Sequence, residues 1–133
     1  MPTTDFWNGT GNWSTDNTAW NENRAPISTE DAEIQTGTAN LTSTSTIAAL
    51  QVDAPAALEL TAGGVLTDTG LATIAGTFYL QNGATVTTTG GLSLTGNALV
   101  EIDGTNIGGS GGSVLTIGGT LTNASTNGSG LDI

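Results

Sequence analysis

The sequence predicts an all-β chain, a right-handed parallel β-solenoid with coils of about 20 residues and a Trp-rich N-terminal cap. Three observations lead there. A small pattern recurs at that spacing, so that Leu60 falls on Leu80, Gly63 on Gly83, Ile74 on Leu94, Gly76 on Gly96, and Thr67-Asp68-Thr69-Gly70 on Thr87-Thr88-Thr89-Gly90. The apolar runs are three to six residues long, alternate with period two and end at Gly, Asn-Gly or Asp-Gly, which suits the short sides of a coil and not an amphipathic helix. Charged residues make up only 10% of the chain while Gly numbers 20, leaving threonine, serine and asparagine to provide surface polarity. Threonine is β-branched and fits a pleated surface.

The elements follow in order. Residues 1–30 hold Trp7, Trp13 and Trp20 beside Phe6 in a turn-rich background and are expected to form a cap over the first coil, because an open solenoid end exposes unpaired backbone and apolar side chains. The competing reading is a Trp platform that stacks on sugar rings. Residues 31–122 supply the coils. The strand candidates are Glu33-Ile34, Ile47 to Val52, Ala57 to Leu60, Leu71 to Ile74, Phe78 to Leu80, Gly91 to Leu94, Leu99 to Ile102 and Val114 to Ile117. Within them Glu59, Ser93 and Glu101 are expected to face water. A third copy of the motif aligns Ile117-Gly118-Gly119-Thr120-Leu121 with Ile74 to Phe78 and Leu94 to Ala98, with three extra residues before it. Gly104 to Ser113 reads as a flexible loop leaving a corner. Antiparallel hairpins are the competing architecture, since Asn82-Gly83 and Asp103-Gly104 are hairpin signals, but hairpins do not require equivalent residues to return at equal register.

Thr67 over Thr87 and Thr69 over Thr89, with Thr44 and Thr46 below, resemble the Thr-x-Thr rows of ice-binding solenoids. In such a row Asp68 would point inward as a buried charge, which is costly, so a corner turn is the expected reading. Segment 123–133 carries no aromatic or charged cover for the last coil. An uncovered coil is a template for strand addition, either by further coils of a longer chain or by another copy; for the second case Leu115, Ile117, Leu121, Leu131 and Ile133 are the candidate assembly interface, and head-to-tail contacts build open filaments.

Composition removes whole classes of chemistry. Cysteine and histidine are absent, so thiolate metal sites, imidazole bases and Ser-His-Asp triads cannot be built from this chain. Arg24 is the sole cation and the formal charge is −11, which disfavours a phosphate backbone as partner. No run is long and apolar enough for a membrane helix, and the first residues lack the basic and apolar regions of a secretory signal, so export is expected to rest on a signal outside them. Asp103-Gly104-Thr105-Asn106 reads as a turn and not a calcium loop. Glu101 and Asp103 lack the surrounding groove of a glycosidase pair. Five Asn-x-Ser/Thr sequons, the first at Asn8, are expected by chance in this composition. No cofactor is expected.

Phe6-Trp7-Asn8-Gly9-Thr10-Gly11-Asn12-Trp13-Ser14, followed by Trp20-Asn21, Pro26 and Glu30 to Ile34, resembles the opening of large bacterial surface β-solenoids of the autotransporter-passenger and filamentous-adhesin class. The later Gly-Gly-x-Leu and Gly-Gly-Thr-Leu-Thr-Asn segments are similar to their coils. The resemblance implies a secreted or surface protein of structural or adhesive type. With cysteine and histidine absent and the last coil uncovered, the expectation is a non-enzymatic β-solenoid subunit of a self-assembling filament or surface assembly, the alternative being an adhesive or glycan-binding module of a larger surface protein.

Overall fold

Stacked parallel rungs account for every named strand pair in the computed structural model, which describes residues 3–103, 111–128 and 130–132. The four middle rungs have strands on three sides, and the first and last described rungs on two. The first sheet stacks β1 (Thr4–Asn8), β3 (Asp31–Thr36), β6 (Ala49–Val52), β9 (Ala72–Ile74), β12 (Gly91–Leu94) and β15 (Thr120–Asn123) in that order. The second stacks β2 (Gly11–Asn12), β4 (Thr38–Leu41), β7 (Ala57–Leu60), β10 (Thr77–Leu80), β13 (Leu99–Ile102) and β16 (Leu131–Asp132). The third stacks β5 (Thr44–Ile47), β8 (Val65–Asp68), β11 (Thr85–Thr88) and β14 (Val114–Ile117). The cap segment thus contributes two strands of its own to the ladders. No helix among the described residues is long and apolar enough to cross a membrane.

Alternation of side chains along each strand sends every second residue inward, and the parallel registers place inward residues above one another. Leu41, Leu60, Leu80 and Ile102 form one column; Ile34, Val52, Ile74 and Leu94 form another. The two stacked pairs read from the sequence, Leu60 with Leu80 and Ile74 with Leu94, are completely buried in these columns. A single rung could not bury its apolar side chains alone, so the core exists only through stacking.

Corners are made where the backbone turns between sheets. Ala62-Gly63 and Asn82-Gly83 both adopt the left-handed region, with φ of 52° and 76° in the first pair and 57° and 78° in the second, and the Gly63 N–H donates to the Asn82 carbonyl at 3.2 Å. The Asn-Gly signal therefore turns a coil corner and closes no hairpin. At the next corner Gly90 stacks between Gly70 and Gly119. A Cβ on Gly90 would lie 2.5 Å from the Gly70 carbonyl group, and one on Gly119 would lie 2.7 Å from that of Gly90, so only glycine lets these corners nest.

Several expectations are corrected. Thr67-Asp68-Thr69-Gly70 is not simply a corner: Thr67 and Asp68 end strand β8, and Asp68 points into the core with no exposure. One of its oxygens accepts from the Gly70 N–H at 2.8 Å, and burial pushes its pKa up to about 6, so the side chain meets its interior position partly by holding a proton. The register of the third copy also differs. Ile117 stacks on Thr88 and Leu121 on Leu92, not Ile117 on Leu94. The equivalent motifs are Gly90-Gly91-Leu92 and Gly119-Thr120-Leu121, and the insertion before β14 moves the last rung by more than three residues. Ile47 to Val52 is two strands with a corner at Ala48. Glu101 is buried, at 1% exposure, while Glu59 and Ser93 are half-buried. Of the predicted loop, residues 104–110 lie outside the described residues. Its closing end is pinned: Asp103 accepts from both the N–H and the hydroxyl of Ser113, each at 2.8 Å.

Candidate functional site

The two ends of the stack carry the chain's unusual groups. At the N-terminal end Trp7 continues the register of β1 above Ile34, and Trp13 follows directly on the Asn12 and Asn40 pair. Trp20 closes the space between them, its ring edge-on to Trp7 at 5.1 Å and to Trp13 at 4.8 Å. All three are buried to within 1%. The Trp20 indole donates to the Trp13 carbonyl and the Trp7 indole to the Gly9 carbonyl, both at 2.9 Å. The short 3-10 helix Asn17–Ala19 brings Trp20 back across the end of the stack, where it forms an antiparallel bridge to Trp7. The Asn21 N–H then donates to the Phe6 carbonyl at 3.0 Å while the Phe6 N–H donates to the Asn21 side chain at 2.6 Å. The outer edge of β1 is thereby occupied, and the indole rings present no face to a sugar.

Behind this plug sits an acidic cluster that the sequence reading did not identify. Arg24 binds Glu30 in a fork, Nη1 to Oε2 at 2.8 Å and Nη2 to Oε1 at 2.6 Å, and reaches Glu22 at 2.7 Å. These bonds, with the Ile27 N–H on the same carboxylate, hold Glu30 well below the usual carboxylate range. Asp5 is fully buried next to them, 3.7 Å from Arg24. Burial and the neighbouring Glu30 carboxylate raise its pKa to about 6, against the lowering effect of Arg24. Asp5, Glu22 and Glu30 have oxygens within 4.8 Å of one another, but the guanidinium already fills the role of their cation. The signal for this site was the lone arginine in an acidic chain; what hid it was that its partners lie on different segments.

At the C-terminal end the burial is much weaker. Strand β15 is exposed at all four positions, Leu121 to 43%, and Val114 of β14 to 50%. Among the candidate interface residues, Leu121 is on the surface as expected. Leu115, Ile117 and Leu131 are half-buried and pack on the core, and Ile133 lies outside the described residues. A shallow depression of about 210 Å³ on the first sheet, lined by Asp31, Glu33, Gln51, Leu71 and Thr73 among others, is below the size of ordinary small-molecule pockets. Glu101 and Asp103 form no cleft with it: neither carboxylate lines the depression, and both oxygens of Asp103 are taken by Ser113.

Comparison with protein-family models, with curated proteins and with solved structures found no significant match.

Proposed function

We propose that this chain is a non-enzymatic structural β-solenoid module of the bacterial cell exterior that self-associates through its C-terminal rung. The observation that supports the reading is the inequality of the ends: the N-terminal rung is sealed by three buried tryptophans, whereas β14 and β15 leave ladder edges and the Leu121 and Val114 side chains in solvent. Such an edge is a template for another strand, and apolar contact reinforces backbone pairing there. Because the edge of β1 is occupied, two open ends match each other better than an open end matches a cap. Pairing tail to tail is thus favoured over head-to-tail growth.

Sedimentation velocity over a wide concentration range tests the proposal. The wild-type chain is expected to form dimers, and Leu121→Lys combined with Leu131→Lys to remain monomeric. Raising salt should leave association intact or favour it, because it screens repulsion between chains of formal charge −11. A wild-type chain that stays monomeric at high concentration, or association indifferent to these substitutions, overturns it.

A further inference from the structure

We propose that the outer face of the third sheet is an ice-binding surface. The registers of β5, β8, β11 and β14 set Thr46, Thr67, Thr87 and Thr116 in one row across the sheet. A parallel row holds Thr44, Val65, Thr85 and Val114. Thr69 and Thr89 extend the pattern where the strands end, their N–H groups bonding to the carbonyls of Ile47 and Asp68 in the rung before. Strands in such a ladder lie about 4.8 Å apart and outward neighbours along a strand roughly 6.6 Å apart, so hydroxyl and methyl groups occupy a two-dimensional grid.

Charge selects the occupant. The formal charge of the chain is −11, yet none of the ten grid positions just named is ionisable. The same rungs are not uniform on their other sides: the equivalent row of the first sheet runs Glu33, Gln51, Thr73, Ser93, Thr122, and that of the second runs Asn40, Glu59, Tyr79, Glu101. Threonine also occurs on the other sides, at Thr73, Thr120 and Thr122 of the first sheet and Thr38 and Thr77 of the second, but only on the third does it hold one row without a break across four strands, and that unbroken row is what calls for a ligand. A charged partner would find nothing to pair with there. A sugar chain would find no aromatic ring on which to stack. A neutral lattice of hydrogen-bonding oxygens fits, because each threonine offers a weak contact that gains value only when many act together at fixed spacing.

Rigidity supports the same occupant. β-branched side chains hold few rotamers, the ladder fixes their origins, and the inward residues Leu66 and Val86 beneath them are completely buried. Little entropy is therefore lost when the grid meets a crystal surface. Asp68 and Thr88, buried in the alternate positions, show that the outward threonines are kept even where the inward residue is polar.

Nanolitre osmometry and ice-recrystallisation assays on the purified full chain test the proposal, with ice itself as the probe. Wild type is expected to shape ice crystals, produce thermal hysteresis and halt recrystallisation. Thr67→Lys with Thr87→Lys should lose all three, while Thr73→Lys on the first sheet should lose none. Far-UV circular dichroism and melting curves should match across the set. If the double variant melts early, Thr87→Tyr alone serves, as its bulk lies on the same surface. No effect of wild type on ice, equal activity in the folded grid variants, or retention on crystalline cellulose or chitin in place of ice would overturn the inference. The assays are read on monomer at low concentration, so the outcome is separate from that of self-association.

Discussion

The first and last described rungs share one architecture and differ in how far their side chains are buried. At the N-terminal end the chain turns back after β2 and spends residues 13–30 covering its own edge, with Trp20 bridged to Trp7 and Arg24 locking Glu30 to Glu22. At the C-terminal end β14 and β15 add to their sheets by the same parallel pairing, yet none of their eight residues is fully buried. The ladder supplies backbone hydrogen bonds equally at both ends. What it cannot supply is an apolar cover, and that requires a segment with side chains large enough to fill the end of the prism. Solenoid stacking therefore propagates order but does not terminate it.

The widest test of this contrast is deletion of a cap ring. Trp20→Ala is expected to cost about 3 to 5 kcal/mol in chemical denaturation, since the ring is buried and contacts both other indoles. Leu80→Ala in the middle of the stack gives a reference of about 2 to 5 kcal/mol. A Trp20→Ala cost well below that of Leu80→Ala would mean that the cap is an appendage and the two ends are alike.

Next comes pH. The raised pKa of Asp68 means that the folded state holds this proton more tightly than the unfolded chain. Its contribution is fully present below pH 3.8 and is lost as pH rises through about 6. The change amounts to roughly 3 kcal/mol, for a shift of about two pKa units in a fully buried group. Denaturation from pH 4 to 7 should show this decline, and Asp68→Asn should make it shallower, leaving the part that Asp5 contributes. A wild-type profile as shallow as that of the variant would mean the carboxyl is ionised throughout.

Removing the cap's cation should act by a smaller amount. Arg24→Met leaves Glu30 without its fork partner and is expected to lower the melting temperature, by less than loss of a fully buried pair would because Arg24 is 42% exposed. Thermal melting measures the loss, and Glu30→Gln in the Arg24→Met background should recover part of it. Smallest of all, Leu121→Lys should change the stability of the monomer by no more than about 0.5 kcal/mol, the usual range for surface substitutions. A large effect would mean that the last rung is already tightly packed, which would remove the difference between the ends.

Much of this was legible before any coordinates. Leu60 over Leu80 and Ile74 over Leu94 follow from like residues returning at a fixed interval, and buried columns impose that regularity because a one-residue slip would turn apolar side chains to water. The third sheet was the least legible. In β8 and β11 the inward positions include Asp68 and Thr88, so apolar alternation, the signal by which strands are read, is broken where the threonine grid lies. The register of the last rung was misplaced because two Gly-containing corners look alike in sequence, and only the pairing of Leu92 with Leu121 separates them.

The sequence by itself determined the repeat, the strand-rich composition, the absence of cysteine and histidine and the concentration of tryptophan at one end. These are local or periodic properties, written in residue order. Tertiary structure alone decided that there are three sides, that Asp68 lies inside, that Arg24 joins three carboxylates, and that Thr116 of a fourth strand extends the row of Thr46, Thr67 and Thr87. Each of those depends on which residues meet across a coil or more of chain, a distance over which burial and register, and not local preference, fix the outcome.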